Sequence, residues 1–217
     1  MLELKDWELK FRKKLIDSES NFDPAHDLSH FERVVRTAKA LAAKEKALLE
    51  VVVPAAWLHD LVNVPKDHPD RKKASQLSAI EAARYLKEEN YPGQWIVGIQ
   101  HAIEAHSFSA KIDAVTLEAK IVQDADRLEA LGAIGIARCF SVGGQLQREF
   151  YESGDPFARN RTPDDQVYTL DHFFVKLLKL SDSFQTDAGR SEARRRTRWM
   201  ELFLEELNKE IEGNPEE

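Results

Sequence analysis

His59 and Asp60 stand inside an otherwise apolar run, Ala55-Ala56-Trp57-Leu58 before them and Leu61-Val62 after. A carboxylate taken out of water without a partner is expensive, and a divalent cation is one way of offsetting that cost. A lone His-Asp pair is better read as a core histidine bonded to backbone, with its aspartate held by an arginine. The wider pattern favours a metal: His30, then His59-Asp60, then His101 and His106, then Asp126 follow one another along the chain. Imidazole and carboxylate are the donors that hold Mn, Fe, Co, Ni or Zn with coordination positions left open for chemistry.

Spacing refines this set unevenly. The apolar arc Leu117, Ile121, Ala125, Leu128 turns Asp124 inward at least as well as Asp126, so periodicity leaves both aspartates open. His101 and His106 are five residues apart, about 500° around a helix, and project to different sides unless the helix ends between them. With Glu104 they form a candidate cluster for a metal or a phosphate, His106 being the candidate phosphate ligand; an exposed polar helix end is the bland alternative. After the His-Asp pair comes Lys66-Asp67-His68-Pro69-Asp70-Arg71, whose Lys66, His68 and Arg71 are candidate phosphate contacts, because cations clamp phosphoryl oxygens; a solvated charged loop is the alternative.

Helices must position these side chains. Apolar residues recur at three- and four-residue spacing and period-two runs are scarce, which predicts an all-α fold, a compact multi-helix bundle. Helices are expected over about 3–18, from near Asp27 or Ser29 (either a plausible N-cap) to about Lys46, and from Pro54, which suits a first helical turn. Further helices are expected over about 72–90, 94–106, 115–130, 168–180 and 191–211. Gly132, Gly135, Gly143 and Gly144 loosen the segment after Leu131, and 154–165 reads as the longest loop. The expected organisation is one domain over residues 1–217, with a C-terminal helical part from about 133 packed on a metal-binding core.

Four segments carry a family resemblance: His26-Asp27-Leu28-Ser29-His30, Trp57-Leu58-His59-Asp60, His101-Ala102-Ile103-Glu104-Ala105-His106-Ser107-Phe108-Ser109, and Asp124-Ala125-Asp126-Arg127-Leu128-Glu129-Ala130-Leu131-Gly132. The chain resembles the HD superfamily of metal-dependent phosphohydrolases, of the stand-alone bacterial type, and the likeness extends to Asp171-His172-Phe173-Phe174 near the end. The resemblance implies that His30, His59, Asp60 and Asp126 are the metal ligands, which selects Asp126 over Asp124 and leaves Asp124 a supporting or packing role. It implies a divalent ion (Mn, Fe, Co, Ni, Zn or Mg) and hydrolysis of a phosphate ester or anhydride, nucleotides being the leading substrate class. Some relatives place an acid three residues after the His-Asp pair to activate water. Here that residue is Asn63, so the base would be Asp60, His101 or Glu104. The same departure suits a rival reading, a non-catalytic nucleotide-binding protein that keeps the metal scaffold.

Composition narrows the partners. Thirty-one Lys and Arg against 38 Asp and Glu give a formal charge of -7, which would repel a nucleic acid polymer. The single cysteine, Cys139, excludes an intramolecular disulfide and fits a reducing, cytoplasmic setting. Uncharged runs fall far short of the roughly 20 residues that span a bilayer, so no membrane role is expected.

Overall fold

A computed structural model describes residues 3–18, 28–62, 64 and 72–213. Among them are nine α-helices: α1 Leu4–Asp17, α2 Leu28–Glu45, α3 Leu49–Leu58, α4 Ala74–Glu88, α5 Gly93–His106, α6 Leu117–Arg127, α7 Gly132–Gln145, α8 Asp171–Val175 and α9 Asp187–Glu212. The fold is all-α; the described residues contain one isolated parallel bridge, Glu149 with Tyr168, and no strand. No described helix is long and apolar enough to cross a membrane. The chain forms two compact units, residues 1–126 with 185–188, and residues 127–184 with 189–217.

In the first unit α3 is the axis. Every residue from Val51 to Leu58 is buried, as expected of a helix that is apolar all round, and α1, α2 and α5 pack against it. Phe11 and Leu15 from α1, Phe31 and Val34 from α2, and Ile99 and Ile103 from α5 have no measurable exposure. Lys46, with φ of 59°, ends α2 in the left-handed conformation, and the Ala47 amide reaches back to Ala42 O at 3.1 Å. This turn reverses the chain, so that the end of α3 returns toward the start of α2.

Pro54 lies inside α3 rather than at its first turn as its position in the sequence suggested. A proline here deprives the carbonyl four residues earlier, Glu50 O, of its helical donor. The Tyr91 hydroxyl supplies a replacement at 2.7 Å. Tyr91 is held there by the end of α4, where Asn90 adopts φ of 59° and the Tyr91 amide donates to Leu86 O at 2.8 Å. Local propensity was therefore overruled by a tertiary hydrogen bond.

In the second unit the glycines after Leu131 do not loosen the chain, as expected, but belong to α7. Gly143 is small for a reason: a Cβ there would stand 2.2 Å from Thr169 Oγ1. The expected helix over 168–180 is only partly formed, α8 giving way to 3-10 turns over Leu177–Ser183. The long loop is present and is organised around Arg161, whose guanidinium is bidentate to the buried Asp171 at 2.5 and 2.7 Å.

Candidate metal centre

All the gathered residues belong to the first unit and occupy helix ends. His30 lies in the first turn of α2, His59 and Asp60 directly follow α3, His106 is the last residue of α5, and Asp126 is the penultimate residue of α6. Carbonyls in the last turn of a helix lack an intrahelical donor. Two of them orient imidazoles: His59 Nδ1–H donates to Ala56 O at 2.9 Å, and His106 Nδ1–H to Ile103 O at 2.7 Å. Each bond fixes its ring and turns Nε2 toward the centre, the arrangement that supports histidine ligands.

The donor atoms converge. His30 Nε2 and His59 Nε2 are 3.3 Å apart. Asp126 Oδ1 is 3.6 Å from the first and 3.8 Å from the second. Asp60 Oδ2 is 3.8 Å from His59 Nε2, and donor atoms from His30, His59 and Asp60 all fall within 4.8 Å of one another. Ligands about 2.1 Å from one ion sit about 3.0 to 3.4 Å from each other in octahedral or tetrahedral geometry. The 3.3 to 3.8 Å spacings are a few tenths of an ångström looser at most, while the 4.8 Å limit across His30, His59 and Asp60 is wider, so these residues fit a single divalent ion once their side chains draw in.

The charge states suit that role. Burial, with His106 and His30 nearby, pushes His59 down from 6.5 to about 4 despite the Asp60 and Asp126 carboxylates, so it is neutral at pH 7 with a lone pair to offer. Burial would raise Asp126, but the imidazoles of His59, His30 and His106 hold it below the usual carboxylate range. His106 goes the other way. Burial disfavours its charge, yet the Asp60 carboxylate, with Oδ1 3.4 Å from Nε2, lifts it to about 9. Asp60 thus faces His59 with one oxygen and a cationic His106 with the other.

His101 and Glu104 are engaged elsewhere. His101 Nε2 accepts the Val115 amide at 3.1 Å, fastening the segment that leads into α6. Glu104 is about 200° around α5 from His106, so it does not share that face; its carbonyl accepts the Ser75 hydroxyl at 3.0 Å. Lys66, His68, Arg71 and Asn63 lie outside the described residues, as does the candidate N-cap Asp27. Asp124 is fully buried and bonds to residues 185–186 instead of reaching the centre. Two contributors were missed. Ser78 Oγ accepts the Val62 amide at 3.1 Å, holding the chain just past Asp60, and Gln123 Nε2 donates to Ala105 O at 2.6 Å, beside His106. A buried glutamine next to Asp124 in an apolar arc was the available signal.

Histidines and aspartates gathered at helix ends are one observation, and comparison with known proteins supplies the family. Residues 27–131 match the HD domain family. The protein YpgQ of Bacillus subtilis is 33% identical over 192 residues, 87% of this chain and 85% of that one. An HD-superfamily hydrolase from Bacillus thuringiensis superposes with a TM-score of 0.75 at 30% identity, covering 97% of this chain and 99% of that chain. YpgQ in complex with ADP gives 0.72 at 33% identity, covering 95% and 98%. This chain belongs to the HD superfamily.

Proposed function

We propose that the chain is a divalent-metal-dependent phosphohydrolase acting on a phosphate ester or anhydride of a nucleotide. The observation that supports this reading is the convergence of His30 Nε2 and His59 Nε2, 3.3 Å apart, with Asp126 Oδ1 within 3.8 Å of both and Asp60 Oδ2 3.8 Å from His59 Nε2. When bound, such an ion supplies Lewis acidity, which polarises a phosphoryl oxygen and acidifies water. His30 and His59 would hold it through imidazole nitrogens and Asp60 and Asp126 through carboxylate oxygens. Asp60 keeps 25% and Asp126 31% side-chain exposure, so substrate can approach from their side while the histidines stay dry.

His106, cationic near neutral pH and 3.4 Å from Asp60, holds a proton at Nε2 at the edge of the centre. It can meet a phosphate oxygen or hand that proton to a leaving oxygen, while Asp60 is the carboxylate able to take one up. With His101 engaged by Val115, the acid-base work expected of His101 and Glu104 passes in this reading to His106 and Asp60. Complex formation between the related YpgQ and ADP supports a nucleotide as the substrate class.

The test is metal analysis of the purified protein, followed by release of phosphate or pyrophosphate from a nucleotide panel with added Mn. His59→Ala and Asp60→Ala should each abolish stoichiometric metal and turnover while leaving helical content largely intact. Metal retained in both variants would remove the site; metal without turnover across the panel would favour the non-catalytic nucleotide binder.

A further inference from the structure

Asp124 is two residues from Asp126, about 200° away around the same turn of α6, so the two carboxylates leave the helix on nearly opposite sides. Asp126 faces the histidines. Asp124, with no measurable exposure, accepts four bonds from one short segment: the Gln185 amide at 3.0 Å to Oδ1 and 3.3 Å to Oδ2, and the Thr186 amide at 2.9 Å and hydroxyl at 2.7 Å, both to Oδ2. The segment is tied down again where the Ala188 amide donates to Glu45 Oε1 at 2.7 Å. Gln123 extends the arrangement sideways, accepting from the Gln185 side-chain amide and donating to Ala105 O, one residue before His106.

We infer that Asp124 is the positioning residue of the metal centre: with Gln123 and the 185–186 segment it forms a counter-anchor that fixes the rotation of the last turn of α6, and so the place of Asp126. The inference rests on the metal-centre reading above. The geometry explains why an anchor matters. Asp126 stands at the end of its helix, where turns fray, and a rotation of about 10° about an axis roughly 5 Å away moves a carboxylate oxygen by about 1 Å. Metal–ligand distances tolerate only about 0.2 Å. Gln123 carries the same constraint to the end of α5, so the Asp126 side and the His106 side of the centre are set by one network. Buried, fully bonded polar networks of this kind hold one arrangement against alternatives.

The test uses the full chain with Co(II), read by its visible absorption bands and by titrated affinity, alongside far-UV circular dichroism and thermal melting. Asp124→Asn keeps the shape but turns an N–H toward the donors of residues 185–186. Thr186→Val removes the hydroxyl donor alone. Leu15→Ala, in the core away from the network, is the matched destabilised control. Asp124→Asn should remain helical, bind Co(II) about 10-fold or more weakly and shift its bands, in the range known for partners that orient ligands. Thr186→Val should show a smaller shift of the same kind, and Leu15→Ala should melt earlier with wild-type affinity and bands. Wild-type affinity and bands in Asp124→Asn would overturn the inference, as would an equal loss in Leu15→Ala. If Asp124→Asn does not fold, Thr186→Val decides alone, an unchanged affinity and spectrum again overturning it. Wild-type protein that takes up no Co(II) would instead overturn the metal-centre reading, and this inference with it.

Discussion

The opposite charge behaviour of His59 and His106 predicts a stability maximum in the metal-free protein. His106 is raised from 6.5 to about 9 in the fold, chiefly, against burial, by Asp60. The folded state therefore holds a proton that the unfolded state has released between those values. Its contribution is complete below pH 6.5 and is lost as pH climbs through about 9. His59 is lowered to about 4 by burial, so between 6.5 and 4 it is the unfolded state that holds the extra proton, and stability falls as the solution is acidified. Each limb amounts to about 3 kcal/mol at 1.36 kcal/mol per tenfold change in proton affinity. The first unit can be followed by itself in a Trp199→Phe background, where Trp7, Trp57 and Trp95 remain as its fluorophores. Urea titrations of chelator-treated protein at pH 5, 6.5 and 8.5 should give the highest midpoint at 6.5. Asp60→Asn removes the carboxylate that raises His106 and should flatten the alkaline side while leaving an acid limb. An alkaline limb as steep in Asp60→Asn as in the parent would refute the assignment of that charge pair.

Adjacent glycines in α7 should respond with opposite signs. Gly143→Ala drives a Cβ to 2.2 Å from Thr169 Oγ1 and should destabilise by about 1 to 3 kcal/mol, whereas Gly144→Ala meets nothing within 4 Å and should stabilise by about 0.4 to 1 kcal/mol. Thermal melts of the two variants, side by side, check this. Asp171→Ala leaves the Arg161 guanidinium and the Asp164 amide without their shared carboxylate, and a loss of about 3 kcal/mol is expected. Limited proteolysis should then cut within 152–165 at protease levels that spare the parent.

The helices were legible because their apolar spacing is strong, and the ends that escaped were decided by distant groups. Pro54 reads locally as a helix start, and only the Tyr91 hydroxyl, many residues later, makes it acceptable mid-helix. The glycines of α7 read as breakers because sequence does not reveal that Thr169 needs the space beside Gly143. At the centre, the five-residue spacing of His101 and His106 correctly implied different sides, and the structure sends one to Val115 and the other to Asp60. Asp124 and Asp126 both looked inward, and both are engaged. Periodicity measures which face leaves water, and α6 loses water on two sides for two different partners.

The donors that meet at His30, His59, Asp60 and Asp126 are drawn from a stretch of roughly a hundred residues, and all of them fall within one of the two compact units. A cation held there, as proposed, would act as a removable cross-link, shrinking the freedom of the denatured chain as a staple across a long loop does. Stripping it would loosen that unit selectively, so a calorimetric trace that is a single peak with the ion present could separate into two after chelation, turning a binding site into a switch for cooperativity.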